Sequence, residues 1–229
     1  MDVEQDKETE MVDSSLVPAI RAAIKQNEIG TGSPYCLSYA CLGASGASFG
    51  IFQGDTNVNH VARSTLVQAL QSAGASADAI TRIIAAVSQP CPGGNPLTPP
   101  DTDLANSALE SSAGRALVDG MDATLLNIVL NELDTSVVAA ASRSCTIDPT
   151  ALLYIALWVN MTGAPDTLNK WLAGAQELGL VPPVGPVIPQ QSLQNYLHAS
   201  TYFLLHPKNF VHMQASVEAA VPLLPIASA

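Results

Sequence analysis

The sequence predicts a mainly helical fold, because apolar residues recur at helical spacing and segments that alternate like strands are scarce. Hydrophobic residues make up 48% of the 229 residues and charged residues only 13%, which excludes a highly charged disordered chain. At this length we expect one domain, over residues 14–229. Residues 1–13 are mostly acidic and polar and are expected to form a flexible, solvated tail.

The helices are predicted from apolar periodicity together with start and stop signals. The first runs from about Leu16 to Glu28, where Ser14 and Ser15 can cap it and Gly30 ends it. Residues 30–57 are rich in Gly, Ser and Thr without a sustained period, so an irregular segment of functional importance is expected there. Further helices are predicted over Val58–Ser72, Ser76–Ser88, Leu104–Val118, Ala123–Ala141, Pro149–Val159, Pro165–Glu177, Gln191–Leu205 and Phe210–Ala219.

Two further features complete the predicted organisation. The helix around Ala151–Val159 is the most apolar and is expected to lie at the centre of the domain. Val181–Pro189 carries four prolines in nine residues and is predicted to be a turn or linker.

Charge and composition exclude several classes of function. With 9 basic against 20 acidic residues, the chain has a net charge of -11 and no basic cluster, so nucleic acid is not expected as a ligand. Its longest uncharged apolar run is far shorter than the roughly 20 residues that a membrane-spanning helix needs. Histidine and cysteine spacing predicts no metal site, and no cofactor is implied. Cys36 and Cys41 are either a short-range disulfide or two small buried side chains.

Three segments carry a resemblance to a known family. Gly50-Ile51-Phe52-Gln53 follows the helix-ending Glu28 by about twenty residues, and the second segment is Ala156–Pro165. The third is Asn195-Tyr196 with the aromatic pair Tyr202-Phe203. In these segments the chain resembles lysozyme-like glycosidases, in particular goose-type lysozymes and lytic transglycosylases. Ile29 stands where that family usually has Ser.

The resemblance implies roles for individual residues. Glu28 would be the general acid that protonates the leaving oxygen of a glycosidic bond, and its place at the carboxyl end of a helix favours the protonated form. Asp55 would be the second catalytic carboxylate; the residues around it also fit an ordinary turn with an Asx hydrogen bond. The expected substrate-binding residues are Ser48, Gly50, Phe52, Gln53, Asn160 and Tyr196.

The expected function is cleavage of the β-1,4-linked amino-sugar backbone of peptidoglycan, by hydrolysis or by transglycosylation. Chitin or chitosan is the alternative substrate, and cationic chitosan would suit the acidic chain. A non-catalytic binding or structural protein with a lysozyme-like fold is the alternative from another class. We expect a secreted, periplasmic or cell-wall-associated protein, although no signal peptide is visible. The sequence leaves the oligomeric state and the choice between internal and terminal cleavage open.

Overall fold

In a computed structural model, which describes residues 11–40 and 43–225, the chain is mainly helical, as predicted. Helices account for 62% and strands for 6% of the described residues. Residues 1–10 of the expected tail lie outside the described residues, as does Cys41. Within its last three residues, the Val12 N–H donates to the Asp134 carboxylate at 2.7 Å. Cys36 carries a free thiol, so it is not part of a disulfide.

The chain folds into two compact units. We call Met1–Asn27 with Ile128–Ala229 the terminal unit, and Glu28–Asn127 the inserted unit. Each unit contains helices and a small sheet. One domain over residues 14–229 stays a prediction.

The inserted unit begins at Glu28, the last residue of helix α1 (Val17–Glu28). The segment predicted to be irregular contains a three-stranded antiparallel sheet in the order β1 (Ser38–Tyr39), β2 (Ala47–Phe49), β3 (Gly54–Asp55). Ser48 of β2 pairs with Ser38 on one side and with Asp55 on the other. These strands have only two or three residues each, too few for an alternating pattern to reveal them.

Helices α2 (His60–Ser72), α3 (Ala77–Val87) and α4 (Pro99–Glu110) complete most of the inserted unit. Side chains of Asn59, Ser76 and Thr98 accept hydrogen bonds from backbone N–H groups in the first turns, so each helix starts at a local cap. Helix α2 packs against both α3 and α4.

The predicted helix Leu104–Val118 is wrong, because the chain breaks at Ser111 between α4 and helix α5 (Ser112–Ala141). Ser111 is extended, with ψ of 157°, and its hydroxyl oxygen accepts the N–H of Gly114 at 3.0 Å. The predicted helix Ala123–Ala141 is therefore the second part of a 30-residue helix, and the boundary between the two units falls within it.

Helix α6 (Pro149–Thr162) is the most buried helix of the terminal unit, as its apolar sequence predicts. Asp148 caps it by accepting hydrogen bonds from the N–H groups of Thr150 and Ala151. It packs against α8 (Gln190–His198) and α10 (Pro207–Ala220).

Two predicted helices of the terminal unit are shorter than expected. Helix α7 spans Asp166–Leu172 and does not reach Glu177, because the chain turns at Gly174 with φ of 114°. The predicted helix Gln191–Leu205 divides into α8 and α9 (Thr201–Leu205), since the Ser200 side chain caps a new helix. Within the predicted linker, β5 (Val187–Ile188) pairs in parallel with β4 (Thr146–Ile147).

Candidate functional site

The Gly50–Gln53 motif forms the turn between β2 and β3 in the inserted unit. Gly50 has φ of 82°, a conformation that favours glycine, and its N–H donates to the carbonyl of Pro34 at 2.7 Å. The Gln53 amide nitrogen donates to the Gly50 carbonyl at 3.0 Å, while its amide oxygen accepts a short hydrogen bond from the Ser38 hydroxyl. Both polar groups of Gln53 therefore have partners inside the inserted unit.

Asp122, on α5, binds the backbone of this turn through its carboxylate. Its carboxylate is fully buried and accepts the N–H of Ile51 at 2.9 Å and that of Phe52 at 3.4 Å. A Cβ atom on Gly50 would lie 2.5 Å from the Asp122 carboxylate oxygen, so the close approach requires glycine. Hydrogen bonds to a carboxylate are stronger than bonds between neutral groups, so Asp122 fixes the backbone of the motif.

Sequence reasoning missed Asp122, although the sequence carried a signal. It lies on α5 among the buried apolar positions Val118, Met121, Leu125 and Leu126. An ionisable side chain in such a stripe is rarely buried unless it is hydrogen-bonded, so its presence indicates a backbone or charged partner elsewhere in the fold.

The carboxylate of Asp55 also binds backbone N–H groups. It accepts from Asn57 at 2.7 Å and from Gly46 at 3.1 and 3.2 Å. The bond to the residue two positions ahead is the Asx turn that the sequence left open as an alternative to catalysis. These bonds account for Asp55 as a residue that links β3 to the chain before β2.

The other predicted residues of the inserted unit differ in exposure. Glu28 is partly exposed at the carboxyl end of α1, and Gly30 follows it with φ of 54°. Ser48 and Phe52 are buried, at 7% and 4% exposed, so Phe52 contributes to the core of the unit. Glu28 is thus a partly exposed carboxyl group next to the glycine-rich segment in sequence. Gly50, Phe52 and Gln53 lie in the β2–β3 turn, and Ser48 pairs within the sheet.

Asn160 and Tyr196 lie in the terminal unit. Asn160 is partly exposed near the end of α6. Tyr196 is buried on α8, with its ring centroid 4.8 Å from that of Trp171. Burial, and secondarily the charge of Glu177, raises the pKa of Tyr196 to about 12, so its hydroxyl stays protonated across the neutral range.

Residues 11–40 and 43–225 contain no group of three His, Cys, Asp or Glu side chains that come together as ligands for a metal ion. None of the helices in that part of the chain is long and apolar enough to cross a membrane.

Comparison with protein-family models, with curated proteins and with solved structures gave no match to this chain. The protein is mainly helical, and the resemblance of its sequence to lysozyme-like glycosidases stays a prediction.

Proposed function

We propose that this chain is a lysozyme-like glycosidase that cleaves the β-1,4-linked amino-sugar backbone of peptidoglycan, with Glu28 as the general acid. The observation that supports this most is the order of elements along residues 17–55, from α1 of the terminal unit into the sheet of the inserted unit. A helix that ends in a glutamate leads into a small antiparallel sheet whose tightly held turn is the Gly50–Gln53 motif. This is the order that the resemblance leads us to expect for an acid followed by a substrate-binding strand.

The contacts of Asp55 favour transglycosylation over hydrolysis within this proposal. Hydrolysis by a lysozyme-like enzyme uses a second carboxylate, either to direct water or to attack the sugar. The Asp55 carboxylate is already bound to two backbone N–H groups. A reaction with one carboxyl group needs only Glu28: it protonates the leaving oxygen as the glycosidic bond breaks, and later takes the proton of the substrate's own 6-hydroxyl as that oxygen bonds to the anomeric carbon.

A non-catalytic binding or structural role is the second candidate function. The observation that favours it is that the polar groups of Gln53 and Asp55 are bound within the unit and that Phe52 is buried. Under this alternative the motif maintains the sheet, and replacing Glu28 changes no reaction. Association with a cell wall, after export, fits both candidates.

The test is mass spectrometry of the soluble products that the protein releases from purified peptidoglycan. We compare wild type with Glu28→Gln and with a matched control, Glu110→Gln, which alters an exposed glutamate at the end of α4. Products with 1,6-anhydro ends from the wild type and the control, but not from Glu28→Gln, support a lytic transglycosylase. Reducing ends would instead support a hydrolase, and Asp55→Asn would then be the next variant in the same assay.

The same assay contradicts the proposal if no product appears, or if Glu28→Gln releases the same products as wild type. Chitosan and chitin then replace peptidoglycan as substrates in an otherwise identical experiment. Absence of products from all three polymers would favour the non-catalytic candidate.

A further inference from the structure

A pocket of about 340 Å³ opens in the terminal unit where the end of α6, the start of α7 and the end of α8 meet. We call it the Trp158 pocket. Its volume is at the lower end of the range for small-molecule sites and suits one sugar residue better than a large cofactor. The lining side chains used below are Trp158, Tyr196, Asp166, Thr162 and Thr167.

Trp158 gives the pocket a fixed aromatic surface. It is the partly exposed residue in the otherwise buried stretch Ala151–Val159 of α6. Its ring packs against those of Tyr202, at 6.1 Å between centroids, and Phe203, at 5.4 Å. Because these neighbours hold the indole in place, a ligand that stacks on it loses little side-chain entropy on the protein side.

Polar groups of the pocket lie around this aromatic surface. Thr162, Thr167 and Asp166 are exposed, and the buried Tyr196 also lines the pocket. Hydroxyl groups both donate and accept hydrogen bonds, as the hydroxyls of a sugar do. An aromatic surface bordered by such groups suits the mixed polar and apolar faces of a pyranose ring.

The charge of the pocket selects among sugars. Its lining residues, all in the described part of the chain, include the carboxylate of Asp166 and no Lys, Arg or His. Glu177 adds negative charge close to Tyr196. A carboxylate that lines the same pocket as a partly exposed indole attracts a cation through charge and through the face of the ring, and repels phosphate or uronic acid groups.

From this combination we propose that the Trp158 pocket binds an amino sugar with a free, protonated amino group, such as one residue of a glucosamine oligomer. The ammonium group lies near Asp166, and the apolar face of the ring lies on Trp158. The proposal does not depend on the reaction proposed for Glu28, because the groups that form the pocket belong to the terminal unit alone.

The experiment is titration of the full-length protein with a glucosamine oligomer and with the matching N-acetylglucosamine oligomer, followed by tryptophan fluorescence and calorimetry. The chain has two tryptophans, and Trp171 is buried, so Trp158 is the expected reporter. We expect a fluorescence change with the glucosamine oligomer that is lost in Trp158→Phe. Trp158→Ala should weaken binding about tenfold by calorimetry, since it removes the stacking surface.

Two charge variants test the selectivity. Asp166→Asn should weaken binding of the glucosamine oligomer about threefold, because the carboxylate is exposed, and should leave the N-acetylated oligomer unaffected. Glu218→Gln, an exposed glutamate on α10, is the matched control for the loss of one negative charge and should change neither.

Three results would overturn the proposal: no binding of the glucosamine oligomer, equal or tighter binding of the N-acetylated oligomer, or an affinity for the glucosamine oligomer that is unchanged in Trp158→Ala. Circular dichroism of each variant shows whether it is folded. Each variant is also assayed for cleavage of peptidoglycan, so loss of cleavage and loss of binding are separate outcomes.

Discussion

Replacing Asp122 should destabilise the protein and release the Gly50–Gln53 turn. In Asp122→Ala, the N–H groups of Ile51 and Phe52 lose their carboxylate acceptor in a buried environment. Hydrogen bonds to charged groups contribute about 1.5 to 3 kcal/mol each. Because the hydrogen bond from Phe52 is long, at 3.4 Å, we expect its contribution to lie at or below the lower end of this range. The expected loss of unfolding free energy is about 3 kcal/mol.

Asp122→Asn should cost less, about 1 to 2 kcal/mol, because the amide retains one oxygen that can accept the bond from Ile51. Its NH₂ group then faces the N–H of Phe52, so two donors meet and that bond is lost. The order of stability is therefore wild type, then Asn, then Ala.

Urea unfolding followed by far-ultraviolet circular dichroism measures this series. With a urea dependence of about 3 kcal/mol per molar, the midpoint of Asp122→Ala should fall by about 1 M. Asp103→Ala, at an exposed aspartate of α4 in the same unit, is the matched control. If Asp122→Ala and Asp103→Ala agree within about 0.5 kcal/mol, Asp122 does not hold the turn and the reasoning is refuted.

Three further predictions concern stability. Gly50→Ala should lower the free energy of unfolding by about 2 kcal/mol or more, because Gly50 has φ of 82° and a Cβ atom there would clash with a neighbouring carboxylate. Gly120→Ala on α5, where a Cβ atom meets open space, should raise the free energy of unfolding by about 0.5 to 1 kcal/mol. Equal urea midpoints for the two variants would contradict this. The hydrogen bond from Arg82 is the main cause that lowers the pKa of Asp101 below its usual value of 3.8. The ion pair between Arg82 and Asp101 then stabilises the folded state fully above pH 3.8, and this stabilisation is lost as the pH falls through the pKa of Asp101 in the folded state. The difference in melting temperature between wild type and Arg82→Gln should therefore shrink in acid. A difference that stays constant would argue against this linkage. Leu153→Ala, in the centre of α6, should lower the free energy of unfolding by about 3 kcal/mol, because it leaves a cavity in the core; thermal unfolding measures this. A loss below about 1 kcal/mol would mean that the surrounding side chains close the cavity.

The helices were the most predictable part of the fold. Helix α1 ends at Glu28, α3 is bounded by Ser76 and Ser88, and α6 begins directly after Asp148. Each of these limits is set by a capping or apolar residue within a few positions along the chain. Local information was sufficient there because the hydrogen bonds of a helix are themselves local.

The predictions failed at short elements and where hydrogen bonds join segments that are distant in the sequence. The break at Ser111 interrupts an apolar period that looks continuous, since a serine in a helical pattern can equally continue the helix. The three strands of the sheet pair across loops and are too short to show alternation. Their existence depends on hydrogen bonds between segments, which no window of the sequence contains.

The sequence by itself determined a mainly helical chain, the apolar helix α6 and a glutamate at the end of α1, because composition, periodicity and capping act over a few residues. Only the tertiary structure decided what the polar residues near the motif do. Asp122 lies 71 positions from Ile51, and the Ser38 hydroxyl lies 15 positions from the Gln53 oxygen that accepts its hydrogen bond. A buried polar group must find a partner wherever the fold brings one, so its role is decided by the packing of distant segments.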